Sequence, residues 1–322
     1  MKNKYLFVIL TIIMLTLAGI ATASHPPLTL VYDEPAEKDN EALPLGNGSM
    51  GSGVTVPAGR IAFVNDGNNA DADDISAIPF QAALIAAFNA TDKLVHWTYA
   101  CDLKATDSTR EKELNTSLKG AVSLWGDSQW GEFNPSIFFN YQNAKSEAEN
   151  HLTAQINASS SDDPLWIIEA GEPDVIGYAL EAADENKRQY VKVVTHHSHN
   201  DGGVFWHLTS TSSGRKSIAA LPGMAADFIV RIPDQNTELR VSESNFSWAK
   251  NSLDPRVKFL WNRAIAAQYD DRNPPAGMVD VSDAGMVWYI LDGRSDGGGD
   301  KTPNITVIRD KLTAWTTAKN SN

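Results

Sequence analysis

From residue 60 onward, short apolar runs alternate with longer stretches of helical character, and this alternation limits the fold more than any other feature of the chain. Ile61-Ala62-Phe63-Val64 is followed by an acidic loop and then by 75–88, which reads as strand, loop, helix. Residues 94–100 predict a second strand, and 136–157, entered after Asn134-Pro135, predict a helix. Leu165-Trp166-Ile167-Ile168-Glu169-Ala170 has the length of a buried strand, and Gly171-Glu172-Pro173 leads from it into a helix over 174–184. Residues 190–195 and 227–232 read as further strands. Helices are expected from Asp254-Pro255 to about residue 269, from Val281-Ser282-Asp283 through 291, and after Asn304, with an exposed loop over 292–301. Buried strands alternating with helices predict an α/β fold, a mostly parallel sheet with helices on both faces.

The N-terminus predicts export. Lys2 and Lys4 precede an uncharged run over 5–23 that closes on Ala21-Thr22-Ala23, the charge, apolar stretch and small-residue exit of a signal peptide. Cleavage after Ala23 is expected, giving a secreted or periplasmic protein; the alternative is a retained anchor, since roughly 19 apolar residues can just span a bilayer. Residues 1–23 are thus the leader, 24–59 an extended, loop-rich segment and 60–322 one α/β domain. The net charge of −13 disfavours nucleic acid and anionic membrane surfaces as partners, and suits a neutral ligand or a bound cation. A single cysteine, Cys101, leaves no intramolecular disulfide and no thiolate metal cluster, and its apolar neighbours suggest a buried, inert thiol.

Three groups of residues could carry chemistry. Asp66, Asp71, Asp73 and Asp74 follow a strand within nine residues. Functional groups of parallel sheets gather at such strand exits, and this much like charge calls for a cation or a proton. Hard oxygen ligands in that number suit Ca²⁺; the plainer alternative is a surface turn in which Asp73 or Asp74 caps the next helix. The second group is His196, His197, His199 and Asn200, which could bind substrate hydroxyls, protonate a leaving group, hold a transition metal, or form an exposed loop. The third is Glu169 with Glu172, either a carboxylate pair for glycoside hydrolysis or acids favoured near a helix N-terminus. Of the nine tryptophans, Trp125, Trp130 and Trp206 lie beside polar, Gly-rich stretches and are the candidates for stacking on a sugar, while the rest suit the core.

The run Val64-Asn65-Asp66 to Asp73-Asp74, the segment 163–174 with its Pro164-Leu165-Trp166 strand and Gly171 turn, and the strand 190–195 leaving into His196–Asp201 together resemble the nucleoside hydrolases and their secreted relatives of unassigned function, in order, over residues 61 to about 291. The loop from Asp66 to Asp74 is longer than the compact Asp-x-x-x-x-Asp of true nucleoside hydrolases. The resemblance implies Ca²⁺ ligation by Asp66, Asp74 and Asp283, with Asp73 as general base; Asp283 reads equally as the N-cap of a helix over 284–291. Residues 30–48 also resemble the opening of inverting α-L-fucosidases, a short likeness that implies no activity, because those enzymes carry their catalytic carboxylates in a helical domain for which this chain has no room. The combined expectation is a secreted hydrolase of a glycosidic bond in a glycan or N-riboside. Asp73 and Glu169 would be catalytic, and His197, His199, Asn200, Glu172 and Trp206 would hold substrate. The alternatives are a non-catalytic carbohydrate-binding protein on the same fold and a purely structural envelope protein.

Overall fold

The computed structural model describes residues 59–67, 71–102, 107–129, 131–210, 214–269, 275–292 and 303–321. These belong to one compact unit. The expected leader, the fucosidase-like opening, nearly all of 24–59, Trp130 and all but the first residue of the 292–301 loop lie outside them.

In chain order the first half comprises β1 (Arg60–Asn65), α1 (Asp73–Ala87), β2 (Leu94–Tyr99), α2 (Ser108–Trp125), β3 (Phe138–Asn140), α3 (Lys145–Asn157), β4 (Leu165–Ala170) and α4 (Asp174–Ala182). The second half comprises β5 (Val191–Thr195), β6 (Trp206–His207), β7 (Lys216–Ser217), β8 (Ile229–Arg231), α5 (Asn236–Leu239), β9 (Arg240–Ser242), α6 (Ser247–Lys250), α7 (Pro255–Ala266), β10 (Met278–Asp280), α8 (Ala284–Leu291) and α9 (Ile305–Asn320). Six strands form a parallel sheet in the order β3-β2-β1-β4-β5-β8. One apolar cluster joins the sheet to α1, α2, α7, α8 and α9, and a second joins its other face to α3 and α4. With both faces covered, the central strands must be apolar throughout rather than alternating, and every residue of β4 is buried.

Helix α1 is buried along its whole length although Pro79 lies inside it. Proline has no N–H to donate to the carbonyl four residues back, so the Ile75 oxygen would be left without its helical partner. The buried Ser117 hydroxyl of α2 donates to it at 2.7 Å, and Arg263 of α7 in turn donates from Nε to Ser117 Oγ at 2.9 Å. The same guanidinium is tied to Glu113 at 2.6 Å. One local defect thereby fixes how three helices meet.

The expected helix over 136–157 begins only at Lys145. Its first part is a 3-10 turn, Pro135–Ile137, followed by β3. There Phe138 and Phe139 extend the sheet beside Trp97 and Thr98, where aromatic residues gain more on a pleated surface than in a helix. Tyr190 closes a 3-10 helix, Glu185–Tyr190, before β5. Trp206, expected to face substrate, is fully buried in the second cluster, and its indole lies over Gly177 of α4. Trp125 is likewise core, stacked on Trp315 with centroids 5.1 Å apart. A Cβ at Gly177 would lie 2.2 Å from the Trp206 ring. Gly177→Ala is therefore expected to cost about 1–3 kcal/mol through overpacking, against a gain of about 1 kcal/mol at an open helix position. Urea unfolding checks the sign, and a stabilised variant would show that the indole has room to move.

Candidate functional site

The chain moves from β1 to β2 on one side and later returns to place β4 on the other, so the strand order reverses between β1 and β4. Ligands of open parallel sheets bind beyond the carboxyl ends of the strands at such a reversal. A cavity of about 610 Å³ lies there. The β1 exit and the start of α1 supply Asp66, Asp71, Asp73 and Asp74, and the β4 exit supplies Gly171 and Glu172. The β5 exit supplies His196, His197, His199 and Asn200. Asp234, Asn236, Arg240 and Asp283 complete the wall. Gly171 has φ +130°, and a Cβ on it would fall 2.2 Å from Asp66 Cγ, so the turn after β4 must be glycine for Asp66 to keep its place.

The aspartates are not capping a surface turn. Asp73 and Asp74 are 7% and 2% exposed, and α1 starts after Ala72 with no side-chain cap. Asp283 occupies the N-cap position of α8, yet its side chain makes no capping bond; it lies 3.1 Å from His196 Nε2 instead. Asp73, Asp74 and Asp283 each bring a carboxylate oxygen within 4.8 Å of the other two, and Asp71, Asp73 and Asp280 form a second such set sharing Asp73. Burial, followed by repulsion from Asp71, Asp283, Asp280 and Asp74, holds the Asp73 carboxyl well above the usual carboxylate range. Burial raises Asp74 as well, with Asp66 close enough to hydrogen-bond to it and the Arg110 charge working against the rise. Excess negative charge on hard oxygens is the setting in which a metal ion is favoured, and this buried cluster could hold one.

Arg110 was not foreseen from the sequence. Asp107 caps α2, accepting from the Arg110 N–H at 2.8 Å, and directs the Arg110 side chain under the acidic loop, where it is fully buried. Its guanidinium donates to the Asp74 carboxylate at 2.5 Å, to the Gly67 carbonyl at 2.8 Å and to the Asp71 carbonyl. Around Asp73 and Asp280 a second set of donors was also missed. Ser282 Oγ donates to Asp73 Oδ2 at 2.7 Å, and Arg240 Nε donates to Asp280 Oδ2 at 2.5 Å.

Among the histidines, His196 is the buried one. The Gln235 N–H donates to its Nδ1 at 3.3 Å, which leaves Nε2 toward Asp283. Burial draws its pKa down, but the hydrogen bond and charge of Asp283, with the charges of Asp234 and Asp280, outweigh that and hold it above the usual value. His197 and His199 are half-exposed to exposed and meet edge to face, with centroids 4.6 Å apart. Asn200 Nδ2 donates to the Glu169 carbonyl at 3.2 Å, tying the histidine turn to the end of β4. Glu169 itself, expected to be catalytic, is fully buried within β4 and does not line the cavity. Neither of its carboxylate oxygens meets a partner of good geometry among the described residues, and burial pushes its pKa well up although the Thr195 hydroxyl favours the charge. With no exposed surface it cannot touch a substrate. Glu172 does line the cavity, and burial, then the charge and hydrogen bond of Asp102, push it up to about 8. Cys101 is half-buried, and burial followed by the charge of Asp66 raises its thiol, so the thiolate is disfavoured as expected.

Fold and site together define an α/β protein with a carboxylate-lined cavity at the reversal point of a parallel sheet. The chain is 39% identical over 280 residues to "Uncharacterized protein P22" of Formosa agariphila, which covers 83% of this chain and 96% of that protein, and it belongs to the same family. No family model matches it. Similar solved structures include a plant nucleoside hydrolase, PpNRh1 (13% identity, 72% of this chain and 77% of that one, TM-score 0.39), and the effector protein XOO4466 (11% identity, 82% and 94%, TM-score 0.40).

The Arg110–Asp74 pair generates a prediction. Breaking a buried pair from one side costs up to about 3–5 kcal/mol, and less to the extent that Asp74, already held above the usual carboxylate range, takes up a proton. Arg110→Met should lose stability on that scale, and adding Asp74→Asn should recover a large part of it. Denaturant unfolding of the two single variants and the double variant checks this; additive losses would mean that the two side chains act independently.

Proposed function

We propose that the protein is an exported hydrolase of glycosidic bonds, acting on a carbohydrate or nucleoside, with a divalent cation, Ca²⁺ by ligand chemistry, among Asp73, Asp74 and Asp283. The observation that carries this reading is the meeting of Asp283 with Asp73 and Asp74, which come from opposite ends of the domain, at the wall of the cavity. Asp66, the further ligand implied by the sequence resemblance, lies against Asp74. When bound, the cation would position a water and lower its pKa, although far less than Zn²⁺ does, so a carboxylate base is still needed. Asp73 fits that task because Ser282 holds one of its oxygens in place, and burial together with the carboxylates around it favours taking up a proton. His197, His199 and Asn200 form the wall that would hydrogen-bond substrate hydroxyls, and Glu172 lines the same cavity.

Release of reducing sugar or nucleobase from a mixed substrate panel, with and without chelator, tests the reading. Chelator-sensitive release supports it, whereas ligand binding without turnover would favour a carbohydrate-binding protein on the same fold. Two further outcomes are expected. A cation that binds only the folded state stabilises it by mass action, by about 2.7 kcal/mol at a hundredfold excess over Kd. Ca²⁺ should therefore raise the melting temperature, and Asp283→Asn or Asp74→Asn should shrink that rise; a parent protein indifferent to both Ca²⁺ and chelator would remove the cation from the reading. Replacing His197 and His199 together by Ala should weaken ligand binding at least tenfold, about 1.4 kcal/mol, with the melting temperature unchanged. Lost stability with affinity retained would make the pair structural.

A further inference from the structure

The strands that flank β1, namely β2 and β4, each deliver a carboxyl group beyond their last residues, Asp102 and Glu172, and the two lie close enough to share a hydrogen bond. Ionised carboxylates offer only acceptors, so such a bond requires a proton held between them. Glu172 lines the cavity. It stands just before α4, which packs with α3 on one face of the sheet, whereas Asp73, Asp74 and Asp283 stand at the starts of α1 and α8, on the other face. The cavity is therefore lined by a carboxyl from one side of the sheet and by the aspartate cluster from the other. Hydrolysis of a glycoside needs this pair of functions, one group protonating the departing oxygen and one activating the nucleophile.

We infer that Glu172, with Asp102 as its proton-sharing partner, is the general acid of the site, and that the substrate is an O-glycoside with an unactivated alcohol as leaving group, a sugar joined to another sugar. This rests on the hydrolase reading above. Water adds to the anomeric carbon and gives one proton to Asp73. The bond from that carbon to the glycosidic oxygen breaks, its electron pair stays on the oxygen, and that oxygen takes the proton from Glu172. One water is consumed, a hemiacetal and an alcohol are released, and Asp73 returns its proton to Glu172 through solvent. A sugar alkoxide is a poor leaving group and depends on that proton, whereas a phenolate leaves without it.

The charge of Asp174 reinforces the Asp102 effect and that of Arg215 opposes it. Because the Glu172 pKa is raised to about 8, the acid form is present below that pH and hydrolysis falls as pH rises through it. The intact protein, Glu172→Gln and Asp102→Asn are compared on disaccharides and on 4-nitrophenyl glycosides of the same sugars, with infrared titration of protonated carboxyl bands as an activity-independent readout. Glu172→Gln should lose about 10²–10⁴-fold on disaccharides and far less on the nitrophenyl glycosides. Asp102→Asn should move the alkaline limb, and the carboxyl band that titrates near it, to lower pH, and Glu172→Gln should abolish that band. Equal losses on both substrate types, or an active parent protein without that band, would overturn the general-acid role alone. A parent protein that shows the band yet hydrolyses no member of either series would overturn the O-glycoside assignment and the acid role of Glu172, and one that also releases no nucleobase from nucleosides would overturn the hydrolase reading itself.

Discussion

Six carboxylates, those of Asp66, Asp71, Asp73, Asp74, Asp280 and Asp283, crowd the ends of β1 and β10 and the starts of α1 and α8, and two guanidinium groups oppose them, Arg110 from within the protein and Arg240 from the cavity wall. Like charges at low dielectric are costly to assemble, so the placement of this group sets what the surrounding elements can do. Arg110 reaches it because α2 begins at an Asp107 cap, and Arg240 reaches it because β9 pairs with β10 in a register that sets Arg240 beside Asp280. Burial first, and then the carboxylates left in excess by the two arginines, hold Asp73 and Asp74 above the usual carboxylate range, Asp74 even with Arg110 in contact. The same residual charge that burdens the fold is what the proposed cation would neutralise.

Much of the scaffold was legible in the sequence, because buried parallel strands are short, apolar and bounded by turn residues; β4 matched the expected run residue for residue. Helix α2 carried a readable signal that went unused, a stripe of Leu114, Leu118, Ala121 and Trp125 at helical spacing behind an aspartate cap. Missing it meant missing Arg110, the main counter-charge of the acidic loop. The site residues were legible where a strand exit named them. Asp66, Asp73, Asp74, Asp283, Glu172, His197, His199 and Asn200 all line one cavity.

The failures have a common physical origin. A strand buried on both faces has no polar alternation to show where it stops facing protein and starts facing the cavity, so Glu169 and Glu172 looked equivalent although only the latter lies beyond the last ladder position. Trp206 was placed by the glycines near it, but a glycine beside an aromatic ring also marks close packing, and here the glycine that matters, Gly177, belongs to another element. The partners of Asp73 and Asp280, namely Ser282 and Arg240, are far from them in sequence or set by strand register, and no local pattern encodes such a pairing.

The proline inside α1 has a consequence for how this family can change. With Pro79 present, the Ser117 hydroxyl is the donor that completes the Ile75 carbonyl. A residue with an N–H at position 79 would complete it from within the helix and leave Ser117 only its contact with Arg263. The order of substitution then matters: serine lost first strands a buried acceptor, whereas proline lost first makes the serine far more dispensable. Positions 79 and 117 are thus epistatic, and a lineage in which the proline has been replaced can drift at 117 in a way that makes the return of proline costly.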